Sequence, residues 1–548
     1  MCYARPTMRN ALLLPVLLTG LAGCARHFGR APADAVPLFE DLGAHHHAIE
    51  TSSPLAQRYF DQGLRLVYAF NHDEAIRAFK EAARLDPHCA MAWWGVAFAL
   101  GPNYNMPLDA DRDRAAREAV TRAQALAPGA SAREQAYVSA VAVRYGDGER
   151  KALDRAYADS MRALAERFPD DLDAATLYAE SLMVLRPWAL WSLDGQPAPE
   201  TPEILATLEA VLEKNPDHPG ANHYYIHAVE ASPQPERALP SAGRLPDLVP
   251  GAGHLVHMPS HVYMRLGRYA EATDANARAA AVDEAYIARE KPQGVYPMMY
   301  YPHNLHFLWA AATMEGRSAD AIRAARQVTG MAAPEMVRAM PVAEYFVPTA
   351  WLALARFGRW KELLAEPAPP GDLRWAHGMW AYTRGLALAG TGRFREAATM
   401  ARVVDFAARS TPADRIVADN QPARELLRLA AANLRGEIEG RRGRYAAAIA
   451  ALRAAVQIQD ALPYTEPPPW YYPVRASLGE ALLAARRPAE AERVFRDDLG
   501  RNPENGWSLF GLAKALRAQG KQKDASAVDA RFARAWSRAD VTLSAARF

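Results

Sequence analysis

The sequence predicts an all-α protein assembled as a solenoid of helix-turn-helix units. Three observations carry this. Small residues recur in one column, at Ala75, Ala238, Ala272, Ala321, Ala397, Ala448 and Ala491, as needed where two helices cross closely. Several are preceded by a turn signal of glycine, arginine and an aromatic: Gly267-Arg268-Tyr269, Gly392-Arg393-Phe394 and Gly443-Arg444-Tyr445. There a residue tolerant of strained backbone angles makes the turn, and the aromatic packs across the hairpin. Alternating β-branched runs are almost absent, while alanine and arginine dominate the periodic segments.

The clearest unit begins near Ala56, with Tyr59, Gly63, Ala75, Phe79, Ala82 and Pro87 in order, and Trp93 opens the next on the expected beat. Pro87 stops the second helix, and further stops follow near Pro169, Pro216, Pro250 and Pro503. These spacings resemble the tetratricopeptide repeat pattern W-x2-L-G-x2-Y…A-x3-F…P. The resemblance runs from about Pro54 to Ala535. It is closest in the first unit and from Gly479 to Pro503, and weak near Leu363 and Ala525. It implies a right-handed superhelical solenoid whose first-helix columns line a concave groove that takes a protein or peptide ligand.

Half the residues are apolar and the formal net charge is +2, so a large core is expected and there is no electrostatic case for nucleic acid. Stability should be spread along the array, because each repeat touches mainly its neighbours. Two interruptions stand out: residues 187–202, with Trp188 and Trp191, and residues 287–302, with Tyr296-Pro297-Met298-Met299-Tyr300-Tyr301. The second is expected to be a flap over the groove. Pro367-Ala368-Pro369-Pro370-Gly371 is expected to divide an N-terminal array, 56–365, from a C-terminal one, 366–548, and Pro467-Pro468-Pro469 to add a bend.

At the N-terminus, Arg5 and Arg9 precede an apolar run from Ala11 to Leu21 that is short for a membrane span. Leu21-Ala22-Gly23-Cys24 resembles the lipobox of bacterial lipoproteins. That resemblance implies a signal peptide over 1–23, a lipid on Cys24, a linker and cap over 24–55, and an exported protein anchored to a membrane of the bacterial cell envelope. With Cys24 acylated, Cys89 is the free thiol of the exported chain, and packing rather than a disulfide must stabilise it.

The chemistry-bearing residues sit in the repeat columns. Aligning Ala238, Ala272 and Ala321 starts three units at Pro219, Gly253 and Pro302. His223, His257 and His306 then share the fifth column, His227 and His261 the ninth, His254 and His303 the second, and Glu230 falls in the twelfth. Residues three or four apart lie on one helix face, so each set forms a stripe. With 15 histidines in 548 residues, the unit opened by Gly253 carries more than its share in one stripe. By the tetratricopeptide resemblance, these columns place His223, His227, Glu230, His254, His257, His261, His303 and His306 in the groove.

Imidazoles and a carboxylate at helical spacing are the donors of a transition-metal site, with zinc, copper or iron the candidates. Met258 and Met264 lie nearby in sequence, although methionines at helical spacing more commonly fill a core. A hydrogen-bonded histidine network holding a peptide or an anion is the other reading of the columns, and purely structural histidines the third. His45-His46-His47 are expected to fold back as a cap, and His218 to be structural. Glu180 falls in the ninth column of an earlier unit and could add a carboxylate.

Two functions follow. One is a lipid-anchored repeat scaffold whose His-rich groove binds a partner. The other is a metal-dependent enzyme or metal carrier built on the same residues, with Glu230 or Glu180 as general base toward a metal-bound water. No nucleophile motif, phosphate loop or dinucleotide fingerprint is present.

Overall fold

The first hairpin shows how the repeat is made. Ser53 accepts the Ala56 N–H and Pro54 occupies the first turn, so the helix Pro54–Tyr68 starts with its free donors answered. The helix His72–Leu85 returns against it and carries Phe79, whose ring lies where a Cβ on Gly63 or Gly95 would come within 2.7 Å of it. Only a bare backbone on both neighbouring helices admits that ring, and Gly479 and Gly511 treat Phe495 in the same way. Every alanine of the small-residue column is fully buried. Gly267, Gly392 and Gly443 take left-handed φ of 73°, 78° and 75°, as the turn signal requires.

The computed structural model describes residues 36–418 and 420–548, and within it Leu38–Phe548 forms one unit. The signal segment and Cys24 lie outside the described residues. Among the described residues the chain is helical almost throughout. The exception in regular structure is a short antiparallel pair, Ile416–Val417 with Gln421–Pro422, where Val417 faces Gln421. No helix of these residues is long and apolar enough to cross a membrane.

Consecutive helices pack as tetratricopeptide-like hairpins, but the array also folds back on itself. The last hairpin meets the middle of the chain: Asp540 accepts the Ser318 and Ala319 N–H groups at 2.7 and 2.9 Å, Arg538 pairs with Asp274 at 2.6 Å, and Trp507 Nε1 donates to the Thr313 carbonyl at 3.0 Å. The first hairpin meets the same middle helices from the other end, through Tyr286 on Glu74 and the Val295 N–H on Asp73.

The segment before the first helix lies along the array as a strap. His45 and His47 reach Asp173, and His46 reaches Asp61. Residues 287–302 are not the open flap expected from their proline and tyrosine content. The helix Tyr269–Glu290 runs well into them, and after a left-handed Lys291 a π-helical turn, Tyr296–Tyr300, feeds directly into the helix Tyr301–Met314. Tyr296 is buried because its hydroxyl accepts the His254 N–H and donates to Asp283. The run is aromatic because it packs inward.

Candidate metal centre

Three helices deliver the histidines. Pro219–Glu230 presents His223, His227 and Glu230 on one face, at intervals of four and three residues. The next first helix is broken in two, Gly253–His257 and Pro259–Arg265, because Pro259 has no N–H to continue the ladder. It carries His254 and His257 before the break and His261 after it. His303 comes from the first turn of Tyr301–Met314.

The expected open groove is replaced by an interior. His223, His227, Glu230, His254, His257 and His261 are each 0–2 % exposed, and His303 is partly buried. Donor atoms of His223, His227 and His254 lie within 4.8 Å of one another, as do those of His257, His261 and His303. His227, Glu230 and His261 form a third such group that joins the two trios. These groups could hold a metal ion.

His306 does not join them. Its ring packs on Trp309, Tyr345 and Phe346, at centroid distances of 4.8, 5.5 and 5.5 Å, facing the next unit. The fifth column therefore does not converge. The break at Pro259 and the π-helical turn before Tyr301 shift the phase between units, so His303 rather than His306 meets His257, at a ring distance of 4.9 Å.

Hydrogen bonds from behind fix which nitrogen of His223, His227 and His257 carries its proton. His223 Nδ1–H donates to the Tyr68 carbonyl at 2.6 Å. His257 Nδ1–H donates to Asn276 Oδ1 at 2.6 Å, and Asn276 is held in that orientation because its Nδ2 donates to the Ala272 carbonyl. Glu230 accepts the His227 Nδ1–H at 3.2 Å, and its other oxygen lies 2.5 Å from His261 Nδ1 without a hydrogen bond between them. Burial would raise the Glu230 carboxyl, but the His261 and His227 imidazoles outweigh it and hold it down to about 2. It is thus an ionised acceptor at neutral pH, rather than a base poised to take up a proton.

With these Nδ1 atoms spoken for, the Nε2 lone pairs of His223, His227 and His257 are turned inward. His257 and His261 Nε2 stand 2.9 Å apart, and His223 and His254 Nε2 stand 3.2 Å apart. His227 Nε2 and His254 Nδ1 have no partner. Burial, followed by the neighbouring imidazoles, pushes His223, His254, His257 and His303 well below the usual histidine range, and burial also lowers His227. These five rings are therefore neutral near pH 7. Each Nε2···Nε2 contact therefore holds either a shared proton or a cation between its two nitrogens.

Aromatic rings wall the trios, and of these the sequence singled out Tyr300 alone. Phe70, held at a left-handed φ of 57°, touches His223, His227 and His254 with centroids at 4.5, 5.9 and 5.3 Å. Phe307 touches His257, His261 and His303 at 4.6, 4.6 and 5.1 Å. Tyr104 lies on His227 and Tyr300 on His254. Phe307 falls four residues after His303, a spacing that could have flagged it. Phe70 sits in a turn and has no such signal.

Glu180 is elsewhere. Burial pushes its carboxyl up to about 7, with Arg144 opposing, and it shares no donor group with the histidines. His218, read as structural, belongs instead to a second constellation. Asp173 is met by His45 Nε2 at 2.9 Å, His47 Nδ1 at 2.8 Å, His218 Nε2 at 3.2 Å and the Tyr68 hydroxyl at 2.5 Å. His218 Nδ1 accepts the Ala221 N–H, so its Nε2 must carry the proton and cannot ligate a metal. Its proximity to His45 and Asp173 is that of a hydrogen-bonded hub.

No family model matches the chain, and no curated protein matches it. Among solved structures it is similar to the Cut9–Hcn1 hetero-tetramer of the APC/C, at 15% identity over 84% of this chain and 76% of that one, with a TM-score of 0.32. It is also similar to the human IFIT1 dimer with PPP-AAAA, at 13% identity over 89% and 91%, with a TM-score of 0.32. A third is the TPR domain of P58(IPK), at 12% identity over 85% and 99%, with a TM-score of 0.22. None is near enough to lend this chain a ligand or a residue's role.

Proposed function

We propose that this helical-repeat protein is a metalloprotein that retains transition-metal ions in an interior centre of six imidazoles, in the manner of a metal-dependent enzyme. His223, His227 and His254 would hold one ion, and His257, His261 and His303 a second. Glu230 would orient His227 and His261 between them. Zinc, copper and iron all suit imidazole with carboxylate and no thiolate. Such an ion would supply Lewis acidity, or electrons if it is copper or iron.

The observation that carries this reading is the convergence of six imidazoles in two trios whose donor atoms lie within 4.8 Å of one another, with His223, His227 and His257 held by acceptors behind the rings as ligand histidines are. Burial of five of the six imidazoles favours a resident cofactor over a transported ion, since exchange requires the array to open. The repeat scaffold also supports binding of a protein or peptide partner. The lipobox-like sequence at Cys24 supports tethering of the protein to the bacterial envelope membrane.

Elemental analysis of untagged protein tests the proposal. About two metal ions per chain are expected, on the rule of three or four protein donors to each ion. Most of this should be lost in His227→Ala and His261→Ala, both of which should keep the helical spectrum. Protein that stays free of metal after zinc, copper and iron are offered would overturn it and leave the lipid-tethered scaffold.

A further inference from the structure

The two histidine trios stand as close to each other as their own members do. Within the first, the His223 ring lies 4.9 Å from His227 and 5.0 Å from His254, centroid to centroid. Within the second, the His257 ring lies 4.8 Å from His261 and 4.9 Å from His303. Between the trios the spacing is nearly the same, 5.3 Å from His227 to His261 and 5.6 Å from His254 to His257. His254 and His257 lie three residues apart on one short helix, so a single helical turn carries a ligand of each trio. Ions held by the two trios would be neighbours in one interior space.

The donor set narrows the choice of ion. Among the described residues Glu230 is the carboxylate grouped with the trios, and it meets His227 and His261 on their Nδ1 sides rather than standing between the Nε2 atoms. Paired iron ions in helical bundles are held by several glutamates that project between them and offset their charge. Nothing equivalent is present here: Asp283 and Glu466 share no donor group with the trios, and burial holds both carboxyls up at about 7. Phe70 lies on the first trio and Phe307 on the second, so apolar rings border the space at both trios. Repulsion between two ions follows the product of their charges and is about fourfold larger for a divalent pair than for a monovalent pair. Uncompensated charge is costly to bury. The cuprous ion is the monovalent candidate, and three neutral nitrogens satisfy it.

We infer that the two trios form one dinuclear copper centre, filled in the cuprous state with one ion on His223, His227 and His254 and the other on His257, His261 and His303, near enough for the ions to sense each other's spin once oxidised. The inference rests on the reading of the trios as metal sites and goes beyond it in the identity of the metal and in the communication between the ions. Three imidazoles leave each ion a position for a small exogenous ligand such as hydroxide.

Spin counting tests it. The full chain, freed of metal by a chelator, is titrated with cuprous ion without air, and copper per chain is read by elemental analysis. Ferricyanide then oxidises the bound copper, taking one electron from each cuprous ion and becoming ferrocyanide, and the cupric spins are counted by electron paramagnetic resonance. The expected signal integrates to well under one spin per copper, or is split by the neighbouring ion. His303→Ala and His223→Ala break opposite trios, and each should lose about half the copper, one three-donor site of the pair. The copper that remains should then give a plain signal close to one spin per copper. If either variant fails to fold the other still reports, and the parent's spin count decides without them. Two coppers per chain with a full, unsplit signal overturn the inference and leave the metal reading standing, as does protein that retains zinc or iron but refuses copper. Protein that holds none of the three overturns both.

Discussion

Tyr68 and His223 are joined at 2.6 Å, the tyrosine's carbonyl accepting the imidazole Nδ1–H, while the same tyrosine's hydroxyl donates to Asp173. One fully buried residue, through its backbone carbonyl and its hydroxyl, thus ties the histidine centre to the hub that holds the N-terminal strap. Aromatic packing reinforces the link, with the Tyr68 ring lying edge-on to His218 and to His45.

Neighbouring histidines on one helix should behave oppositely. His303 faces His257 and His261, whereas His306 faces Trp309 and Tyr345 and has burial alone to depress its basicity, to about 3. His303→Ala is expected to lower metal content by about one ion per chain, the loss of one donor from a three-donor site. His306→Ala should keep the metal and cost stability only, in the range of roughly 1–3 kcal/mol common for a buried truncation. Elemental analysis and urea unfolding of both variants check this, and metal loss in His306→Ala would contradict the assignment.

The hub makes the strap sensitive to pH. Burial opposes a charged His47, but its hydrogen bond to Asp173 and that carboxylate's charge outweigh burial and raise it above its ordinary 6.5. Burial likewise works against an ionised Asp173, yet His45, His218 and His47 together hold it well below its ordinary 3.8. The raised His47 stabilises the fold fully below 6.5 and loses that contribution as pH rises through its folded value. The depressed Asp173 contributes above 3.8 and loses it as pH falls. The strap should therefore be tightest between these two values. Asp171, Arg133, Tyr137, His46 and Asp61 also face it, so the informative quantity is the difference from Asp173→Asn. That variant should lose about 3–5 kcal/mol, the cost of breaking a buried ion pair. Limited proteolysis should cut it within residues 38–53, and its unfolding midpoint should fall less than that of the parent chain as pH drops below 3.8 or rises above 6.5.

The repeat was legible in the sequence because its signals are local: a small residue where helices cross, a glycine at a left-handed turn, a proline at a stop. Ala75 and Gly267 each declare themselves. The histidine stripes were legible for the same reason, down to His223 with His227 and His257 with His261. What eluded the pattern is the register between units. Ruling His306 out required knowing that Pro259 breaks one helix and that a π-helical turn precedes another. Closure of the array was hidden too, since Arg538 with Asp274 and Trp507 with Thr313 join positions far apart in the chain. Asp173 gives no sequence signal, because its three histidines come from two distant segments.

Gly253 opens the helix bearing His254 and His257, and a Cβ there would come within 2.0 Å of Asp283 Oδ1. Asp283 cannot easily retreat, because Tyr296 OH and Asn304 Nδ2 donate to its two oxygens. Gly253→Ala should cost about 1–3 kcal/mol, as overpacking does. It should also reduce metal content with every ligand still present. Urea unfolding and elemental analysis together separate this from a surface effect, and a parent-like result in both would show that the helix has room to move.

Asn276 offers the sharpest test of lone-pair orientation, because it touches the centre only from behind. Its Oδ1 accepts the His257 Nδ1–H at 2.6 Å, and its Nδ2 is anchored on the Ala272 carbonyl at 2.7 Å. Asn276→Leu is similar in volume and removes the acceptor. His257 then gains nothing from keeping its proton on Nδ1, and the Nε2–H tautomer, useless to a metal, becomes accessible. Loss of such an outer-shell partner typically weakens metal affinity about 10–100-fold. Asn276→Asp should restore much of that loss, since a carboxylate accepts the same hydrogen bond. Competition with a chromophoric chelator measures the affinities. Were Asn276→Leu to bind as tightly as the parent chain, His257 would owe its tautomer to something other than Asn276, and the case for an inward lone pair at that position would fail.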